Sequence, residues 1–286
     1  MLSMFRKYIF GLSLLALLII AGGYGFLRTK LPQRSGEISL PGLKSEVDVV
    51  FDEWAIPHIE AENELDAYRA LGYLHAQERL FQLELMIRVA HGRLSEMLGE
   101  ATLDVDRYFR TFGIQRYAKS YVEKNYRKNP QKITKAVEAY LSGLNAFVAA
   151  GTTPLEFTLL GIPKREYRIE DLVSISAYMS YTFSNAVLQD PLISHIQKNL
   201  GSSYLKDLAL NWPEGDTQIK VSKQHNDTDL ELATFFAEME NVLSRIPPFF
   251  GSNSWVISGS HSKSGKVILA NDPHIGFAAP STWYEA

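Results

Sequence analysis

The chain has 286 residues, of which 46% are hydrophobic and 21% are charged, a globular composition with enough length for one large or two smaller domains. A formal net charge of −3 provides no basic field for nucleic acid, so a nucleic-acid partner is not expected. The absence of cysteine excludes disulfides, thiolate metal sites and cysteine nucleophiles.

The first predicted element is an apolar N-terminal helix. Arg6 and Lys7 precede an uncharged run at residues 8–27, which is long enough to cross a bilayer. The positive start and the small residues Ala21-Gly22-Gly23 are also typical of a signal peptide. We therefore expect residues 1–30 to be a signal peptide or a membrane anchor. Basic residues flank the run on both sides, so charge orients it only weakly.

Two short strands and a long helix are predicted next. The strands lie at residues 46–51 and 56–59, where Pro57 indicates a sheet edge or a strand start. Asn63 is a good N-cap for a helix with a broad apolar stripe, which we predict to run to about Ala90.

His75 and Glu78 lie on one face of this helix. A zinc site would need a further ligand, such as a second histidine four residues after the first, but position 79 is arginine. We therefore interpret both side chains as structural hydrogen-bonding groups.

Further helices are predicted at residues 114–150, with an interruption near Asn129-Pro130, and from Glu170-Asp171 to about Phe183. A polar, turn-rich region begins near Leu205, and residues 230–246 have the pattern of an amphipathic helix. The predicted class is α+β, mostly helical with a few strands.

The last predicted element is a β-hairpin. Two apolar runs at residues 255–257 and 267–270 flank a segment rich in Ser, Gly, His and Lys. Gly251-Ser252 lies just before the first run, and Asn271-Asp272-Pro273-His274 forms a predicted turn just after the second. If the strands pair, we expect the hydroxyl of Ser252 and the imidazole of His274 to converge at the open end.

Ser252 has the chemistry of a self-activating nucleophile. A serine hydroxyl is weak and needs a base. A serine at a chain terminus carries its own base, because an α-amino group has a pKa of about 7.7–8.0. To become a chain terminus, Ser252 would first attack the carbonyl of Gly251 and so cut the chain before itself. Glycine has no Cβ, which gives the hydroxyl room to approach. For the Gly-Ser pair alone, a plain loop entering a strand remains the alternative.

Residues 251–256, Gly-Ser-Asn-Ser-Trp-Val, together with Asn-Asp-Pro-His at 271–274, resemble the maturation site of the penicillin acylase family of N-terminal nucleophile hydrolases. Residues 52–59 and 72–80 resemble earlier blocks of that family, with Ala55 replacing its usual glycine. The resemblance implies a precursor that cuts itself between Gly251 and Ser252. The complete fold would be an αββα sandwich, of which this chain is the N-terminal portion.

The same resemblance assigns roles to other residues. His274 matches a histidine that hydrogen-bonds the serine in some cephalosporin acylases, and Asn253 would support the serine through its amide. The alternative is that His274 only caps a turn. Met179, Phe183 and Ile275 match positions that contact the acyl group, and ordinary core packing is the alternative for the first two.

The resemblance also bears on cofactors. Many family members ligate calcium through a glutamate, and the matching position here is Gln189, followed by Asp190. A neutral amide is a weaker calcium ligand than a carboxylate, so calcium binding stays open. No cofactor is required by the serine chemistry.

By resemblance, the chain divides into a leader or anchor (1–30), an α-chain-like region (31–205), a spacer (206–251) and the start of a β-chain (252–286). The protein would be exported to the periplasmic or extracellular face, with the membrane as a partner through residues 8–27. Its substrates would be small linear amides, either β-lactam side chains or acyl-homoserine lactones. The oxyanion hole of the family lies beyond residue 286, so the remainder of the β-chain is an expected partner.

Three rival interpretations remain open at this level. Residues 260–263 fit the S-x-x-K pattern of serine β-lactam-binding enzymes, although that motif needs a helix start and a hairpin loop is predicted here. Residues 203–206 match the same pattern. The other rivals are a non-catalytic, membrane-anchored helical module and an inactive truncated relative.

Overall fold

The structure, a computed structural model, describes residues 2–128, 130–183, 186–207, 249–275 and 278–286. The predicted α+β class is confirmed in these ranges, since helices dominate and the strands form two separate hairpins. The helices are α1 (Leu2–Arg28), α2 (Glu64–His91), α3 (Ser95–Leu98), α4 (Leu103–Phe112), α5 (Ile114–Val122), α6 (Lys132–Ala150), α7 (Leu155–Leu160), α8 (Ile169–Thr182), α9 (Ala186–Asn199) and α10 (Ser202–Asp207). The strands are β1 (Val47–Phe51), β2 (Pro57–Ala61), β3 (Phe249–Ile257) and β4 (Ile268–Ile275).

Helix α1 contains the segment Ile9–Arg28, whose 20 residues have a mean hydropathy of 2.1 and are not buried. By length and composition it is able to cross a membrane, although a signal sequence has the same properties. The residues just after it are tied to the rest of the chain. The Lys30 amine donates to the Thr153 carbonyl at 3.1 Å, and Arg34 pairs with Glu78 at 3.3 Å.

Helix α2 forms the centre of the molecule. The Asn63 side chain accepts a hydrogen bond from the Asp66 backbone N–H at 3.0 Å, so the predicted N-cap is confirmed. Gly92 ends the helix in the left-handed region at φ 62°, within two residues of the predicted end. Where α2 crosses α6, a Cβ on Gly72 would overlap the backbone carbonyl of Tyr140. Glycine therefore permits the close packing of these two helices.

Two apolar clusters flank α2. Leu80, Ile87, Leu144, Phe147 and Tyr167 belong to the cluster between α2 and α6. In the other cluster, Phe109 of α4 meets Tyr178 of α8 edge-on, with ring centres 5.6 Å apart. Such aromatic pairs contribute about 0.5–1.5 kcal/mol beyond the area that they bury.

A buried carboxylate joins α2 to the segment before α8. Glu84, only 2% exposed, accepts hydrogen bonds from Arg88 Nε at 2.8 Å, Arg165 Nε at 3.0 Å and the Tyr167 hydroxyl at 2.9 Å. Arg165 also pairs with Asp171 at 2.9 Å. Breaking such a pair is costly, because the remaining charges stay buried without a full set of partners.

The hairpins differ from the prediction mainly in length. Pro57 starts β2, as predicted. Strands β3 and β4 extend beyond the two apolar runs, so Gly251-Ser252 and Asn271–His274 lie within strands. The prediction that residues 271–274 form a turn is therefore wrong. Backbone pairing does not need apolar side chains, and a two-stranded ribbon tolerates Pro273 because each strand is an edge. The predicted helix at 230–246 falls outside the described residues.

Candidate active site

The Gly251–Ser252 bond lies near the start of the paired strand β3. In the antiparallel register, Gly251 faces His274, Ser252 faces Pro273 and Asn253 faces Asp272. A shift in register falls between Phe249 and Gly251, immediately before this bond. Bulges of this kind bend a strand and are over-represented beside active sites, where they re-aim side chains.

A polar triad occupies one face of the ribbon. The Nε2 atom of His274 lies 2.8 Å from Asp272 Oδ2 and 3.3 Å from Asn253 Nδ2. An ionised carboxylate only accepts, so the shorter contact places the proton of a neutral His274 ring on Nε2. The Nδ1 atom then carries the lone pair. With this tautomer the contact with Asn253 Nδ2 joins two donors and is not a hydrogen bond, so Asp272 alone orients the ring.

The side chain of Ser252 projects from the opposite face. Residues directly across an antiparallel pair share a face, and successive residues alternate. His274, Asp272 and Asn253 therefore share one face, whereas Ser252 and Pro273 share the other. The predicted convergence of the hydroxyl and the imidazole is wrong for the uncut chain. The backbones of the two residues nevertheless lie on neighbouring rungs of the ribbon.

The ribbon is open to solvent on both faces. Val256 and Leu269, which face each other across the strands, are 70% and 71% exposed. The side chains of His274 and Asp272 are about half exposed. A side-chain contact at such exposure contributes about 1 kcal/mol or less, so it orients the ring more than it stabilises the hairpin.

The residues assigned by resemblance to an acyl pocket lie on different elements. Met179 is half-buried in α8, and Phe183, just after that helix, is 45% exposed. Helix α8 packs mainly against α2 and α5, as ordinary core packing would require. Ile275 is the last residue of β4, and its side chain is outside the described structure. Their roles at the acyl group stay predictions.

The calcium prediction also stays untested. Gln189 and Asp190 belong to α9, but their side chains are among those that the structure does not describe. Within the described residues, no group of three or more His, Cys, Asp or Glu side chains could hold a metal ion. The Nδ1 of His75 lies 2.7 Å from the Tyr140 hydroxyl and Glu78 pairs with Arg34, so both side chains have structural partners. The structural interpretation of His75 and Glu78 is confirmed.

Ser260 lies in a loop and not at the start of a long helix. A short 3₁₀ turn, Gly259–His261, forms part of the connection between β3 and β4. The Ser260 hydroxyl is 3.1 Å from that of Ser258, its neighbour in the same loop. Ser203 and Lys206 lie in α10, a helix of six residues. The helix start that S-x-x-K chemistry needs is therefore missing at Ser260.

A contact that the sequence did not predict joins residues 278–286 to α2. The ring of Tyr284 stacks on His75, with ring centres 4.7 Å apart and an interplanar angle of 28°. Burial lowers the pKa of His75 to about 4, and the charge of Arg79 acts in the same direction. This ring is therefore neutral over the physiological pH range.

A family model described as penicillin amidase matches residues 46–286. The chain belongs to the penicillin amidase family. This match confirms the resemblance seen in the sequence motifs at both ends of the matched range.

Similar curated proteins carry acylase names. A penicillin acylase 2 proenzyme from Pseudomonas sp. strain SE83 is 29% identical over 273 residues, which cover 90% of this chain and 34% of that protein. The acyl-homoserine lactone acylase QuiP from Pseudomonas aeruginosa is 27% identical over 261 residues, covering 88% and 30%. The chain spans about a third of the length of the curated relatives that it matches.

A similar solved structure is that of a thermostable penicillin G acylase from Alcaligenes faecalis. The sequence identity is 21% and the TM-score is 0.49, and the alignment covers 62% of this chain and 98% of that one.

Proposed function

We propose that this chain is the N-terminal part of an amide hydrolase precursor that cuts itself between Gly251 and Ser252. The mature enzyme uses Ser252 as an N-terminal nucleophile. The observation that carries the proposal is the position of the Gly251–Ser252 bond, which follows a strand irregularity and faces the oriented His274 across the ribbon. Membership of the penicillin amidase family supports it.

The proposed cut is an N-to-O acyl shift followed by hydrolysis. The Oγ of Ser252 adds to the Gly251 carbonyl, and the C–N bond between the two residues breaks. The Ser252 nitrogen takes up the hydroxyl proton and becomes an α-amine, while Gly251 is held as an ester on Oγ. Water opens this ester, which leaves a carboxylate on Gly251 and a free hydroxyl on Ser252.

The free α-amine then serves as the general base. It accepts the proton of the Ser252 hydroxyl as Oγ attacks the amide carbonyl of the substrate, and it returns a proton to the leaving amine. Water subsequently hydrolyses the acyl ester. The reference pKa of an α-amine, about 7.7–8.0, suits a base that works near neutral pH.

The ribbon gives His274 a role beside this amine. In the uncut strand Gly251 faces His274, so loss of Gly251 would open the rung next to the new terminus. The new α-amine of Ser252 would then lie near the imidazole of His274. In the uncut strand, the Ser252 hydroxyl is on the opposite face of the ribbon from this imidazole. His274, oriented by Asp272, therefore assists the amine in this proposal, and Asn253 lies on the same face.

The substrates in this proposal are linear amides that join an apolar acyl group to an amine-bearing core. The named activities of the relatives, penicillin acylase and acyl-homoserine lactone acylase, supply the two candidate classes. Met179, Phe183 and Ile275 would contact the acyl group. The remainder of the β-chain would supply the oxyanion hole, because the family places those donors after this segment. No metal takes part in the proposed steps.

We further propose export, with α1 retained as a membrane anchor. The support is the unburied apolar surface of α1 and the ties that hold Lys30 and Arg34 on the helical part of the chain. In this arrangement the helical part of the chain after α1 lies close to the membrane surface.

The proposal is tested by two matched serine variants of the complete gene product. Ser252→Ala should remain a single polypeptide without amidase activity, because it lacks the attacking hydroxyl. Ser254→Ala is the control, since Ser254 lies two residues on along the same face and donates to the Ala270 carbonyl at 3.3 Å. It should be cut and active. Equal processing of both variants, measured by intact mass, would overturn the assignment.

A further inference from the structure

The segment 278–286 lies along one face of α2. The Gln82 side chain donates to the Ser281 carbonyl at 3.4 Å, Tyr284 stacks on His75, and the Arg79 guanidinium lies 5.7 Å from the centre of the Tyr284 ring. His75, Arg79 and Gln82 are four and three residues apart, so they form one stripe of the helix. The three contacts together place the segment on α2.

The His75 ring is also fixed from its other side. The hydroxyl of Tyr140, on α6, lies 2.7 Å from His75 Nδ1, and the two rings meet edge-on with centres 6.0 Å apart. His75 is therefore a rigid surface for an incoming ring. The Tyr284 hydroxyl is buried and has no hydrogen-bond partner in the described part of the chain. The ring of Tyr284, and not its hydroxyl, thus accounts for the contact.

This contact matters for the hairpin that carries Ser252. A cut at the Gly251–Ser252 bond falls within β3 and separates Ser252 and the rest of that strand from every residue before Ser252. Apolar residues of the ribbon such as Val256 and Leu269 remain exposed, so they do not hold it to the helices. Ser281 lies seven positions after His274, a reach of roughly 25 Å at full extension. Fixing residues 281–284 therefore limits where the new terminus can lie.

We propose that Tyr284 is a positioning residue: by stacking on His75 it holds the β-chain start, and with it Ser252, on the helical part of the chain after the cut. The binding surface is the stripe formed by His75, Arg79 and Gln82. The inference rests on the proposed function for the cut, although the stack itself exists in the uncut chain.

The test compares Tyr284→Ala with Tyr284→Phe in the complete gene product. The matched control is Trp283→Ala, because Trp283 is the neighbouring aromatic residue and is 52% exposed. In cut protein, Tyr284→Ala should weaken association of the two chains roughly 2- to 10-fold, the range of one aromatic pair. Its kcat should fall roughly tenfold with KM within about twofold, because the nucleophile is misplaced. Tyr284→Phe and the control should resemble the wild type.

A double variant separates this contact from general damage. His75→Ala combined with Tyr284→Ala should be no worse than His75→Ala alone, which removes the same stack together with the contact to Tyr140. Additive losses, or a Tyr284→Phe variant as impaired as Tyr284→Ala, would overturn the inference.

Failure of the cut is a separate outcome. An uncut wild type overturns the proposed function. The stack is then tested by amide hydrogen exchange of residues 281–286, which should be faster in Tyr284→Ala than in the wild type. Unchanged exchange would overturn the stack as well.

Discussion

The helical part of the chain and the β3–β4 ribbon use apolar residues in opposite ways. Leu80 of α2 is 2% exposed and packs between α2 and α6, whereas Leu269 of β4 is 71% exposed. Helices α2, α4, α6 and α8 bury apolar surface against one another, but the ribbon leaves both faces open. A two-stranded ribbon is at best marginally stable alone. The candidate nucleophile therefore lies on the element that depends most on surfaces outside itself.

The largest difference should appear when the buried carboxylate of the helical part is removed. Glu84→Ala leaves Arg88 and Arg165 in the interior without their shared acceptor, so the free energy of unfolding should fall by about 3 kcal/mol or more. Urea unfolding followed by circular dichroism measures this. The control is Asp104→Ala, which breaks a largely exposed pair with Arg107 at 3.0 Å and should cost about 1 kcal/mol or less. Similar losses for both variants would contradict the network.

A leucine-to-alanine substitution in each region tests the difference in burial between the helices and the ribbon. Leu80→Ala should destabilise the 286-residue chain by about 2–5 kcal/mol, because it opens a cavity in the core. Leu269→Ala should change its stability by about 0.5 kcal/mol or less, because the side chain is already in water. Comparable losses in urea unfolding would show that the ribbon face is covered, contrary to the exposure of Leu269.

The buried His75, on which Tyr284 stacks, should make a smaller contribution to stability, and this contribution should depend on pH. Between the unfolded pKa of about 6.5 and the folded pKa of about 4, the unfolded chain binds more protons at His75. Stability should therefore fall as the pH is lowered from 7 to 5, with His75 contributing about 1–2 kcal/mol.

His75→Asn should reduce this pH dependence without abolishing it. Burial also lowers the pKa of His91, whose Nε2 contacts Ser174 at 2.9 Å, so that residue acts in the same direction. Urea unfolding at the two pH values gives the difference. An unchanged loss in His75→Asn would contradict the assigned pKa.

The helical part was largely predictable because its signals are local. Asn63 marked the start of α2, and Asn129-Pro130 marked the break between α5 and α6. The Glu84 network was less accessible, since Arg165 and Tyr167 lie more than eighty positions along the chain. An acid within an apolar stripe was the available signal, but it does not identify its partners.

The candidate site was predictable in composition and not in geometry. The apolar runs predicted the hairpin, but side-chain pattern does not report how far backbone pairing extends through Ser252 and Pro273. The faces follow from the register, so the separation of Ser252 from His274 needed the structure. The stack of Tyr284 on His75 joins residues about two hundred positions apart, and neither position carries a local signal for it.

The most direct measurement is the N-terminal sequence of every polypeptide in the purified, active, complete gene product. We expect a second chain that begins Ser-Asn-Ser-Trp, with a partner fragment that ends at Gly251. A fully active protein that consists of one unbroken polypeptide, or whose second chain starts at another residue, would contradict it.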